Sequence, residues 1–155
     1  MNVLNTDIIP AAQDIFWADF PEYKGLEPRP VLIFSTGFAP GSSQEEQLNA
    51  IIKAGCKLKD SDYNLIKLTD GGTKLPWHAF KEQSSLKVVL MFGIATSQLG
   101  ISALFRLNEI NRFDGRFWVP TLSPDQLIQD KMIRGQLWNN ALKPLFDGKI
   151  HGEII

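Results

Sequence analysis

Two apolar runs constrain this chain more than any other feature. They are Val31-Leu32-Ile33-Phe34-Ser35-Thr36 and Leu86-Lys87-Val88-Val89-Leu90-Met91-Phe92. Pro30 and Gly37 bound the first, and Gly93 ends the second. Neither run alternates apolar with polar residues. A strand that reads this way is buried on both faces, as in a parallel sheet whose crossovers lie over it. A third, shorter run, Asn64-Leu65-Ile66-Lys67-Leu68, stops at Asp70-Gly71-Gly72. Between the first and third runs, Leu48, Ile51 and Ile52 fall at i, i+3 and i+4, one face of a helix. Ser43-Gln44-Glu45-Glu46 has the spacing of a capping box, and Gly55 is placed to end the helix. Leu75 to Gln83 is expected to form a short helix. The order β–α–β–α–β within about 65 residues predicts a parallel sheet with right-handed crossovers.

Beyond Gly100 the pattern changes. Asp114-Gly115 between Phe113 and Arg116-Phe117 is the signal of a two-residue hairpin, with the strand Arg116–Pro120 leaving it. Ser123-Pro124-Asp125-Gln126 combines a serine cap, proline at the first helical position and glutamine at the box position. A closing helix is expected from about Asp130 to Leu142, its apolar stripe carried by Ile133, Leu137, Trp138, Ala141, Leu142 and Leu145. Pro144 should end or kink it. The expected fold class is α/β, a three-layer α/β/α sandwich around a short, mostly parallel sheet of about four strands. Pro21, Pro28 and Pro30 mark residues 1–30 as an N-terminal segment with a Pro-rich connector. Residues 31–147 form the single domain, and 148–155 a tail.

Composition narrows function by exclusion. Sixteen basic against seventeen acidic side chains argue against direct nucleic-acid binding, which needs a basic footprint. One cysteine, Cys56, forms no internal disulfide. No apolar run is long enough for a membrane span, and Met1 to Pro10 lacks the pattern of a secretory signal. The expectation is a cytoplasmic protein.

The inventory for catalysis is thin. His78 and His151 are the only histidines, and neither has a second histidine or cysteine at metal spacing, so no metal, cofactor or catalytic residue is assigned. His78 reads as a surface or half-buried side chain. Cys56 follows a helix C-terminus, where the dipole disfavours a thiolate, and reads as structural. Asp60, Asp62 and Asp70 read as turn-capping carboxylates. Arg112 and Arg116 read as solvated arginines beside the hairpin turn.

Two features remain. The loop from Gly37 to Ser43 leaves a buried strand and enters a helix, the place where α/β folds bind anions. Its spacing is neither a P-loop nor GxGxxG, so Thr36, Gly37, Gly41, Ser42 and Ser43 stand as a degenerate ligand loop or as a tight turn with a serine cap. The segment Ile15-Phe16-Trp17-Ala18-Asp19-Phe20 places three aromatics in six residues. Ile15, Phe16, Trp17 and Phe20 belong either to the core or to a partner-binding arm.

Several stretches resemble the psi subunit of bacterial DNA polymerase III. One runs from Leu48 to Leu68, through Ala54-Gly55-Cys56, Asp62 and Leu65-Ile66-Lys67-Leu68. Another is the strand ending Phe92-Gly93. The closest is Pro120-Thr121-Leu122-Ser123-Pro124-Asp125-Gln126-Leu127, followed by Lys131 and Leu137-Trp138-Asn139-Asn140-Ala141-Leu142. The wider pattern is similar to the uracil-DNA glycosylase type of α/β fold. There the loop after the first strand carries a water-activating acid, and a late loop carries a histidine. Here Thr36-Gly37-Phe38-Ala39-Pro40 has no acid, and Trp118 and Val119 precede Pro120. The resemblance implies a non-catalytic subunit of a DNA-replication assembly that bridges the clamp loader to partner proteins, with Ile15, Phe16, Trp17 and Phe20 facing the loader. Two alternatives stay open. One is a small α/β enzyme or nucleotide- or phosphate-binding protein using the Gly37–Ser43 loop. The other is a homodimer seamed by the aromatic arm.

Overall fold

Proline and glycine punctuation delimits the strands, and the structure, a computed structural model, describes residues 29–68, 77 and 86–146. Ile15, Phe16, Trp17 and Phe20, Asp70, His78 and His151, the expected Leu75–Gln83 helix and the tail lie outside the described residues, Trp77 excepted.

Among the described residues five strands form one sheet: β1 (Val31–Thr36), β2 (Tyr63–Leu68), β3 (Val88–Phe92), β4 (Asn111–Phe113) and β5 (Arg116–Thr121). Their order is β2-β1-β3-β5-β4. The first three pairings are parallel, and β4 joins β5 antiparallel. The sheet therefore has one strand more than the sequence suggests. The extra strand is the short outer arm of the hairpin, whose three residues are too few for a periodic signal. Asp114 and Gly115 both have positive φ, at 53° and 72°, as a hairpin turn with matching twist requires.

The two apolar runs divide their side chains between two cores. Val31, Ile33, Val88, Leu90, Phe92 and Val119 point to one face. Leu32, Phe34, Val89, Met91 and Trp118 point to the other. The first face is covered by helices. α1 (Ser43–Asn49) continues into a π-helical turn, Ala50–Gly55, and delivers Leu48 and Ile52. After β5 come α2 (Pro124–Gln129), α3 (Lys131–Leu137), a second π-helical turn (Trp138–Leu142) and α4 (Lys143–Phe146). These bring Leu127, Leu137, Ala141, Leu142, Leu145 and Phe146 against the sheet. Burying each large aliphatic side chain there contributes about 1.5–3 kcal/mol.

The second face is closed differently. Among the described residues it is covered by Trp77, by a 3₁₀ helix (Thr96–Leu99) and by the irregular stretch through Ile101, Ala103 and Phe105. The chain steps one way along the sheet from β1 to β2 with a helix on the first face. It then steps the other way to β3 and β5, and the described residues Trp77, Leu86, Ile94, Leu99 and Ile101 from between these strands pack on the second face. That reversal is what right-handed crossovers demand.

Two local expectations are corrected. The cap of α1 is Ser42, not Ser43: its side chain accepts from Glu45 N–H at 3.3 Å, while Glu45 Oε1 accepts from Gly41 N–H at 2.9 Å. Gly41, at φ +76°, turns the chain one residue earlier than the sequence pattern suggests. The helical stretch does end at Gly55, as expected, though through a π turn capped by Cys56, and the left-handed residue that turns the chain away is Lys57, at φ +61°. Pro144 does not end the closing helix. Lys143 N–H donates to Trp138 O, five residues back, and that shift resets the hydrogen-bond register. Pro144 then falls in the first turn of α4, where a missing amide is tolerated.

Pro120, inside β5, is accommodated because β4 reaches only as far as Trp118. Beyond it Asn108, at φ +59°, takes over the open side: its N–H donates to Pro120 O at 2.8 Å, and its Oδ1 accepts from Thr121 Oγ1 at 2.6 Å. Both side chains are buried, so this bond satisfies groups that water does not reach.

Candidate functional site

In an open parallel sheet, ligands bind beyond the carboxyl ends of the strands, where the strand order reverses. Here that point lies between β1 and β3, and the candidate loop of Thr36, Gly37, Gly41, Ser42 and Ser43 stands over it. Gly93, at φ +75°, follows β3. A Cβ at Gly93 would lie 2.7 Å from Ser123 Cβ, 2.9 Å from Ser123 Cα and 3.0 Å from Thr36 Cγ2. The ends of β1, β3 and β5 thus abut, and Gly93 N–H donates to Thr121 O at 3.0 Å across the join. The described chain is closely packed at this point.

The loop's polar groups are engaged locally. Gly37 N–H donates to Leu68 O, and Ser42 N–H to Ala39 O, each at 3.1 Å. Ser43 Oγ donates to Gln44 Oε1 at 3.4 Å. Gln44 Nε2 donates to Asp125 Oδ1 at 3.1 Å, tying the start of α1 to the start of α2. Ser123 caps α2 with the expected box: Ser123 Oγ accepts from Gln126 N–H at 3.3 Å, and Gln126 Oε1 accepts from Ser123 N–H at 3.1 Å. Two helix starts therefore lie side by side, and the chain's own carboxylates occupy their first turns: Glu45 and Glu46 on α1, Asp125 on α2. Acidic side chains there already complement the helix dipoles, and they oppose an incoming phosphate. The cation at the loop is Lys67, whose Nζ lies 4.1 Å from the Phe38 ring centroid and 3.5 Å from Phe38 O.

The remaining sequence candidates serve structure. Cys56 is buried, and burial pushes its thiol up to about 12. At neutral pH it is a protonated core residue. Asp62 Oδ2 accepts from Lys59 N–H at 2.9 Å, the turn-capping role expected of it. Asp60 Oδ1 lies 2.9 Å from Lys53 Nζ on the surface, and that hydrogen bond and charge hold its carboxyl below the ordinary range. Among the described residues, no three His, Cys, Asp or Glu side chains converge on a metal position.

Arg116 corrects an expectation. Rather than a solvated arginine, it is a largely buried fastener, with only 11% of its side chain exposed. Its Nε donates to Leu86 O at 3.1 Å, its NH1 group to Asp114 O and Oδ2 at 3.2 Å each, and its guanidinium lies 5.3 Å from the Trp77 ring. The short, buried approach to β3 displaces water from this arginine, which sequence spacing alone does not reveal. Arg112 is exposed and stacks on Phe117 at 4.7 Å.

Sequence reasoning also missed an aromatic cluster. Trp118 has ring centroids of Trp77, Phe105 and Phe113 at 4.7, 5.4 and 5.7 Å. Trp77 Nε1 donates to Asp114 Oδ2 at 3.1 Å, and Trp118 Nε1 to Phe113 O at 2.9 Å. The four residues come from three distant parts of the chain, so only their aromatic character was visible beforehand.

No family model, no curated protein and no solved structure matches this chain.

Proposed function

We propose that the chain is a non-catalytic protein-interaction subunit of a DNA-replication assembly, similar to the psi subunit of bacterial DNA polymerase III and acting in the cytoplasm. In this reading its α/β domain is a relative of the uracil-DNA glycosylase type, without the catalytic groups. One observation carries the proposal: where the strand order reverses, the place an α/β enzyme keeps its chemistry, the described ends of β1, β3 and β5 meet closely at Gly93 and the helix starts beside them are self-capped. Two further points support it. The stretch after β1 holds no acid. Trp118-Val119-Pro120, which stands where a glycosylase keeps its late histidine, is a buried stretch of β5.

On this reading Ile15, Phe16, Trp17 and Phe20 form the arm that meets the loader. The test is affinity capture of the tagged full-length chain from its source cells, beside a Phe16→Ala/Trp17→Ala variant. Clamp-loader or polymerase subunits should accompany the wild type in stoichiometric amounts and be lost from the variant. Capture of neither by the wild type would overturn the proposal. Light scattering on the same pair reads the homodimer alternative, which requires a dimer mass in the wild type alone. A thermal-shift series with nucleotides and inorganic phosphate addresses the ligand-loop alternative. A true ligand at a hundred times its Kd adds about 2.7 kcal/mol. The acidic helix starts lead us to expect no shift.

A further inference from the structure

No further inference is drawn: the strongest candidate, the surface of exposed Leu104 and Leu107 flanking Phe105 on the irregular side of the sheet, is an unpartnered apolar patch, and nothing in the structure shows what covers it.

Discussion

The two faces of the sheet are held by different physics. On the helical face the fully buried contacts are mostly aliphatic: Leu48, Ile52, Leu127, Leu137 and Leu142 pack with Val31, Ile33 and Leu90, beside Phe92 and Phe146. On the opposite face the described cover is a 3₁₀ turn and extended chain, and a cluster of aromatic rings and polar ties joins the aliphatic side chains in holding it. The difference follows from backbone accounting. A helix satisfies its own amides and carbonyls, so its buried stripe can be purely apolar. Irregular chain cannot, and side chains must bond it. Here Gln98 Oε1 accepts from Ala95 N–H, Arg116 donates to Leu86 O, and Asn111 brackets Arg106, accepting from its N–H and donating to its carbonyl. The irregular face should therefore be the more sensitive to loss of a single large residue.

Trp118→Ala tests this most strongly. Trp118 is fully buried, contacts three rings and donates to Phe113 O. Its truncation should cost about 3–5 kcal/mol, the upper range for a buried aromatic. Leu137→Ala, on the helical face, should cost about 2–4 kcal/mol, because neighbouring helices can relax toward the gap. Urea titrations of both variants decide the matter. A smaller loss for Trp118→Ala than for Leu137→Ala would reverse the proposed contrast.

The join between the faces comes next. Gly93→Ala must hold alanine at φ +75° while its methyl meets Ser123 and Thr36. Left-handed strain and overpacking together should cost about 2–4 kcal/mol. Gly41 has a similar φ, +76°, but open space around its Cβ position. Gly41→Ala should therefore lose only the strain, about 1–2 kcal/mol. Equal melting-temperature losses for the two would show that the crest is not closely packed.

Much of the helical face could be read in advance, because its signals are local. The unbroken runs at Val31 and Val88, the Asp114-Gly115 turn and the Ser123 cap all act within a few residues, and the structure contains each of them. One cause of the failures is contact between distant parts of the chain. Arg116 could not be seen as buried until Leu86 and Trp77 closed over it. Neither π turn has a sequence signature. The second carries the helix past Leu142 by shifting one hydrogen bond, which is why Pro144 does not end it. The Gly37–Ser43 loop follows the carboxyl end of β1, as its place in the sequence implies. Its surroundings were not legible, since the close approach at Gly93 joins residues 36, 93 and 123.

Cys56 supplies a pH-dependent test on the helical face. Burial raises its folded pKa from 9.0 to about 12. The unfolded chain then releases the thiol proton first, so stability is unaffected below pH 9 and falls as pH rises from there toward 12. At pH 10 the loss attributable to Cys56 is about 1.4 kcal/mol. Cys56→Ala should be less stable at pH 8 but lose less between pH 8 and 10 than the wild type. Parallel urea midpoints measure this, and identical pH slopes would place the thiol in contact with water.

The smallest effect is the most exact probe of how the candidate loop is built. Ser42-x-x-Glu45 and Ser43-x-x-Glu46 are interleaved copies of one capping pattern, and the sequence does not choose between them. The structure does: Ser42 is extended, at φ −78° and ψ 166°, and its oxygen faces Glu45 N–H, whereas Ser43 is already the first helical residue. Ser42→Ala should cost about 1 kcal/mol, and Ser43→Ala less than about 0.5 kcal/mol. Melting temperatures of the two variants, measured side by side, distinguish the registers. The reverse order would move the helix start by one residue, leave the Ser42 hydroxyl uncommitted above β1, and restore the loop as a place where a ligand can bind.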